Sequence, residues 1–246
     1  MNPVSVNELT ESVNSNLPRD VKSHIAKNIL TKEKDSETAK NIFAELINDL
    51  SLKTQKEVIN ATGTLLHTNL GRSPNKISYP GTYTNIEYDL TTLSRGKRNE
   101  YLSVLMNNLI GSEDIIFVNN NASSLFVSLK AISKLHNIES VIISRGEIIE
   151  IGGSYRLPEI INETGLSLVE IGTTNKTRLS DYKKALEKYP NSLILKVHRS
   201  NFSISGFTED VSISELAELK NKYDVFLLHD LGSGLVIDKK FLEINN

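Results

Sequence analysis

Hydrophobic positions change their spacing once along this chain, near residue 57. Before that point Ala39, Ile42, Phe43, Leu46, Ile47 and Leu50 recur at three- and four-residue steps, which is one helix face. Val21, Ile25 and Ile29 mark a shorter helix in the same polar, lysine-rich stretch, and no strand pattern interrupts it. Residues 1–56 are therefore read as a small helical domain, joined near 53–56 to a main domain over 57–246. In the main domain, short apolar, β-branched runs at 115–118, 141–144, 166–171, 193–197 and 225–229 predict strands. Helix-like segments at 101–110, 122–135, 156–164, 179–188 and 214–222 precede or separate them. Runs that do not alternate with polar residues suit strands buried on both faces. The alternation predicts an α/β fold with a mostly parallel, doubly wound sheet. In such a sheet ligands bind outside the carboxyl ends of the strands. The stretch 73–83 is loop-like, with Pro74, Pro80 and Gly81 as breakers.

Composition narrows the classes. The chain has 246 residues, 39% hydrophobic and 24% charged, in the range of globular proteins. A net charge of −2 gives no global basic signature, so any nucleic-acid surface must be local. With no cysteine, disulfides, thiolate metal sites and thiol catalysis are excluded. The start, MNPVSVNELTES, lacks a basic region followed by an apolar stretch, so no signal peptide is expected, and no apolar run approaches the roughly 18 residues of a membrane span. A cytoplasmic location and no membrane partner are expected.

Chemistry-bearing residues cluster at the predicted strand ends. The run IIFV leads through NNNASS into a helix, so the amides around Asn120, Asn121, Ala122 and Ser123 could hold a phosphate. The same residues also suit an ordinary helix cap. No GxGxxG or Walker loop is present, which disfavours a dinucleotide. Asp230 closes the apolar strand VFLLHD before LGSG. A carboxylate there could pair with a protonated pyridine nitrogen, or simply cap a turn before Gly232 and Gly234. Arg72, Arg95, Arg98, Arg145 and Arg156 punctuate the loops and could fork an anion, or be surface charges. His67, His198 and His229 are candidate acid–base or stacking groups, His198 foremost because it ends a strand. Ser200, Ser203 and Ser233 lack a GxSxG elbow and are read as hydrogen-bonding groups. Gly71, Gly152 and Gly153 suit turns or close backbone approach. No HExxH motif or acidic cluster has metal-ligand spacing, so no metal is expected.

The order of these motifs is more specific than any one of them. VINATGTLLHTNLGR at 58–72, EYDL and SRGKR within 87–98, VNNNAS at 118–123, SRGEIIEIGGSYRLPEI at 144–160, EIGTTNKTRLSDY at 170–182, KVHRSNFSISGFTE at 196–209 and HDLGSG at 229–234 follow in succession. Together they resemble the bacterial L-seryl-tRNA(Sec) selenium transferases, or selenocysteine synthases. The resemblance implies the large domain of a fold-type-I, pyridoxal 5′-phosphate (PLP)-dependent transferase. Such enzymes convert L-seryl-tRNA(Sec) to L-selenocysteyl-tRNA(Sec) with selenophosphate, through an aldimine and an aminoacrylyl intermediate. It implies Asp230 as the partner of the pyridinium nitrogen, and Asn120, Asn121, Ala122 and Ser123 around the cofactor phosphate. His198 and Ser200 would lie beside the ring, and Arg72, Arg95 and Arg98 would hold the selenium donor's anion. The helical head would bind tRNA, and the subunits would form a homo-oligomer.

The family's Schiff-base lysine follows DLGSG in a GDK-containing segment, which on this resemblance lies beyond Asn246. The expectation is an N-terminal portion of the enzyme that holds no catalytic residue of its own and leaves its sheet incomplete. Two other functions stay open: a PLP-dependent ammonia-lyase-like relative acting on a small amino acid, and a non-catalytic remnant.

Overall fold

The structure, a computed structural model, describes residues 3–74, 81–151 and 155–232. Gly152, Gly153, Ser233, Gly234 and much of the 73–83 loop fall outside the described residues. The chain divides into two compact units, residues 1–76 and 77–246, and each is described by itself.

The first unit is built on three helices, α1 (Val6–Ser12), α2 (Arg19–Lys32) and α3 (Ser36–Lys53). Ser5 and Glu8 form a reciprocal capping box at the start of α1, and Asp35 accepts the Thr38 amide to start α3. Leu9, Ala26, Ile29, Ala39, Phe43 and Ile47 form the common core. The buried stripe of α3 is thus Ala39, Phe43 and Ile47, whereas Ile42 and Leu46 stay exposed. After α3 the chain is irregular and mostly exposed through residue 74, with one short turn at Thr68–Leu70.

In the second unit, a small antiparallel pair, β1 (Tyr88–Asp89) and β2 (Ser94–Arg95), precedes α4 (Glu100–Ile110) and α5 (Asn121–His136). Then follow β3 (Ser140–Ser144), the antiparallel pair β4 (Glu150–Ile151) and β5 (Tyr155–Arg156), α6 (Leu157–Glu163), β6 (Ser167–Ile171), α7 (Leu179–Lys188), β7 (Ser192–Val197), α8 (Ile213–Tyr223) and β8 (Phe226–Asp230). The main sheet has the order β6-β3-β7-β8, and all three of its pairings are parallel. One face buries Val141, Ile143, Leu193 and Leu195 against α5 and α6. The other buries Ile142 and Ile194 against Tyr182 of α7 and Leu216 of α8. Alternate residues of the central strands therefore serve opposite cores. This is why β3 and β7 read as continuous apolar runs, and it is the doubly wound α/β arrangement expected from the sequence.

One predicted strand does not form. Residues 115–118 carry a strand-like run, yet they enter no ladder, and Ile116 is 76% exposed. A strand exists only where a neighbour supplies hydrogen-bond partners. Here a cavity of about 420 Å³, lined by Ile115, Ile116, Val118, Val127, Ile132 and Leu228, lies between this segment, α5 and β8.

Among the described residues, no helix is long and apolar enough to cross a membrane.

Candidate functional site

The carboxyl end of β8 and the amino end of α5 meet through side chains. Asp230 ends its strand 6% exposed. Its Oδ1 accepts two hydrogen bonds, from Asn121 Nδ2 at 2.9 Å and from the Gly232 amide at 3.0 Å. Its Oδ2 is buried with no partner among the described residues. A buried polar oxygen in that state costs free energy unless a donor reaches it.

Asn120 is the N-cap of α5, and its Oδ1 accepts the Ser123 amide at 2.8 Å. The carbonyl of Asn120 takes the Ser124 amide. The amides of Asn121 and Ala122 precede any possible intrahelical acceptor, so they and the helix dipole offer an anion site beside Asp230. Of the four residues expected around a phosphate, Asn120 and Ser123 are thus engaged with each other, and the Asn121 side chain is turned to Asp230.

The segment after β7 closes the same end of the sheet. The His198 amide donates to the Asp230 carbonyl at 2.9 Å, and the Ser200 amide donates to the His198 carbonyl at 3.0 Å. Ser200 also lies against Gly232: a Cβ built there would stand 2.9 Å from Ser200 Oγ, and Gly232 has φ +57°. His198 thus adjoins Asp230 through the backbone, and Ser200 follows it beside Gly232. His229 points to the opposite face of β8 from Asp230 by strand alternation. Burial holds its pKa below the ordinary histidine value, and the Lys196 charge adds to this.

Arg95 and Arg98 form another cluster. Both approach Glu87 Oε1, at 3.9 and 2.9 Å. They line a cavity of about 630 Å³ with Lys97, Ser103 and Asp114. Arg72 belongs to the first unit, with φ +66° after Gly71 at φ +81°. Of the remaining candidates, Arg145 pairs with Glu170 at 3.1 Å and Arg156 with Glu150 at 2.9 Å, both as exposed salt bridges. His67 lies in the first unit, with its Nδ1 buried and unpartnered among the described residues.

Sequence reasoning missed a charge cluster around the buried Glu147, on the other face of β7. Lys196 Nζ donates to Glu147 Oε1 at 2.5 Å and to Asp210 Oδ1 at 2.9 Å. Glu147 Oε2 accepts the Val197 amide at 3.0 Å, and Arg199 reaches Asp210 Oδ2 at 2.7 Å. Burial raises the Glu147 pKa, while its hydrogen bonds to Lys196 and to the Val197 amide oppose the rise. The only local signal was a lysine inside an apolar strand, a position where charge is rare unless paired.

Comparison with known proteins adds an independent observation. The profile of the family described as "SelA: L-seryl-tRNA selenium transferase" matches residues 58–246. The L-seryl-tRNA(Sec) selenium transferase of Sulfurimonas denitrificans is 37% identical over 237 residues, covering 94% of this chain and 52% of that protein. The protein of the same name from Aquifex aeolicus is 41% identical over 230 residues, covering 90% and 50%. The one from Moorella thermoacetica is 47% identical over 190 residues, covering 74% and 40%. The chain spans about half the length of the curated relatives it matches. A solved structure of D-glucosaminate-6-phosphate ammonia-lyase superposes with a TM-score of 0.45 at 16% identity, over 53% of this chain and 37% of that one. That likeness is too slight to argue from.

Proposed function

Since the chain belongs to the L-seryl-tRNA selenium transferase family, we propose that it forms part of an enzyme that converts L-seryl-tRNA(Sec) to L-selenocysteyl-tRNA(Sec) with selenophosphate and PLP. The observation that carries this reading is the unpartnered, buried Oδ2 of Asp230 beside the free first-turn amides of α5. The pairing fits the two ends of PLP: a ring N–H that needs a carboxylate, and a phosphate that needs amide donors. When bound, PLP supplies an electron-poor ring that accepts the electron pair left as an α-proton departs.

The chain's own groups have defined parts in this reading. Asp230 holds a proton on the ring nitrogen through Oδ2. The Asn121 and Ala122 amides take the phosphate, with Ser123 in the same turn and Asn120 capping it. His198 and Ser200 line the ring's surroundings next to Asp230. Arg95 and Arg98 receive the anion of the selenium donor, and Glu87 holds them until an anion competes. The helical head over 1–56 binds the tRNA, and the working enzyme is a homo-oligomer.

The test is made on a polypeptide carrying this chain at the full length of its relatives. With seryl-tRNA(Sec) and selenophosphate it should yield selenocysteyl-tRNA(Sec), and Asp230→Ala should cut the yield by at least 100-fold, roughly the weight of a transition-state electrostatic contact. Release of ammonia and a keto acid from a small amino acid, with no tRNA product, would favour the ammonia-lyase alternative. A protein that takes up no PLP would refute both.

A further inference from the structure

We infer that Asn121 is a positioning residue for Asp230: its side-chain amide orients the carboxylate so that one oxygen is held by the protein and the other faces a protonated heteroaromatic nitrogen. The inference rests on the PLP reading above and deepens it.

Asn121 is the first residue of α5, but the cap belongs to Asn120, whose side chain already takes the Ser123 amide. The Asn121 amide is thus not needed to finish the helix. It reaches instead across 109 residues of sequence to Asp230 Oδ1. The Gly232 amide lands on the same oxygen. Among the described residues, two donors on one oxygen and none on its buried twin is an asymmetric arrangement. A carboxylate free to rotate would share its donors between both oxygens. Held this way, it keeps one acceptor fixed in direction, which a directional charge-assisted bond requires. The same side chain ties the phosphate-facing helix end to the group facing the ring nitrogen, so the two ends of the ligand are set at a fixed separation.

The experiment uses a polypeptide carrying this chain at the full length of its relatives and ¹⁵N-labelled pyridoxamine 5′-phosphate, a probe that needs no covalent link. The ring-nitrogen chemical shift is followed against pH. Bound to the unaltered chain, the nitrogen should stay protonated to a higher pH than in free solution. In Asn121→Ala and in Asn121→Leu, which keeps the bulk, the midpoint should fall by about one pH unit, a roughly tenfold change in the protonation equilibrium. Asn121→Gln, which keeps the amide, should retain part of the effect. Ser212→Ala, which removes the cap of α8 away from the site, should leave the midpoint unchanged and so separates positioning from a general loss of helix stability. An unaltered midpoint in Asn121→Ala and Asn121→Leu overturns the inference, even if affinity falls, because Asn121 would then serve only the helix end. If the unaltered chain binds no probe, or binds it with a neutral ring, the PLP reading falls and takes the inference with it. A protonated ring that ignores Asn121 sinks the inference alone.

Discussion

Gly232 meets two demands that no other residue satisfies together. Its amide must face Asp230 Oδ1, which it does at φ +57°, a conformation costly to side chains with a Cβ. It must also leave room for Ser200, whose Oγ would stand 2.9 Å from an added Cβ. Gly232→Ala is therefore expected to weaken binding of pyridoxamine 5′-phosphate by about fivefold to tenfold, from roughly 1 kcal/mol of strain. Spectroscopic titration checks it, and undiminished affinity would show that the turn tolerates a side chain. At the other end of the chain, Asp35 has its pKa lowered chiefly by the Thr38 amide hydrogen bond. A carboxylate lowered in the fold contributes stability above its unfolded value of 3.8, and loses it as pH falls through the lower folded value. Asp35→Asn keeps an equally good cap without the titration. Helix content followed by circular dichroism should thus fall less steeply below pH 3.8 in Asp35→Asn than in the unaltered chain.

Between elements, the informative contact is the one that anchors β7 to the turn after β3. Glu147 and Lys196 are 1% and 12% exposed at their side chains, and neither is tolerable there alone. Lys196→Met should destabilise the second unit by about 3–5 kcal/mol at neutral pH, because it strands a buried carboxylate. Adding Glu147→Gln should recover much of that, as replacing a whole buried pair costs little. The pH sign follows from burial. The folded Glu147 pKa already lies above 4.5, and Lys196 is among the influences that restrain it. With Lys196 gone the rise is larger. The deficit in denaturant unfolding should then be greatest at pH 7 and shrink as pH falls toward 4.5 and the carboxyl protonates. This cluster also marks where sequence patterns stop being informative. β3 and β7 were legible because burial on both faces forces apolar, β-branched runs, and β6 and β8 because their apolar runs are short and bounded by turns. Asp230 was legible because a charge at the end of such a run is conspicuous. The partners of Lys196 lie 49 and 14 residues away, and no local period encodes them. The Asn121–Asp230 bond was hidden for the same reason. The pairs β1–β2 and β4–β5 are two residues per strand, too short for any period. The run at 115–118 misled because apolar content signals readiness to pair, whereas pairing itself depends on a neighbour.

At the scale of the molecule, the second unit is finished on both faces of its sheet but not over residues 100–118. α4 buries none of its residues among the described ones, and Tyr101, Val104, Leu105 and Leu109 are exposed, the last by 62%. Ile116 and Phe117 extend the apolar surface just beyond it. Scattered apolar residues on a surface mean little, but here a helix with no buried side stands beside a strand-like run that pairs with nothing among the described residues, and Val104, Ile115 and Ile116 line one cavity. Water excludes such a surface, and a second copy of the chain is the nearest source of a matching one. That agrees with the homo-oligomer proposed above, since identical patches meet across a two-fold axis. The expected outcome is concentration-dependent self-association in sedimentation velocity. Val104→Lys with Leu109→Lys should reduce it, because two charges per copy would be desolvated in the contact. Both positions are exposed, at 57% and 62%, so the double variant should unfold in denaturant within about 0.5 kcal/mol of the unaltered chain. If self-association persists undiminished at equal stability, α4 is not the contact, and copies must meet through another surface, such as the sheet edges that β6 and β8 form among the described residues.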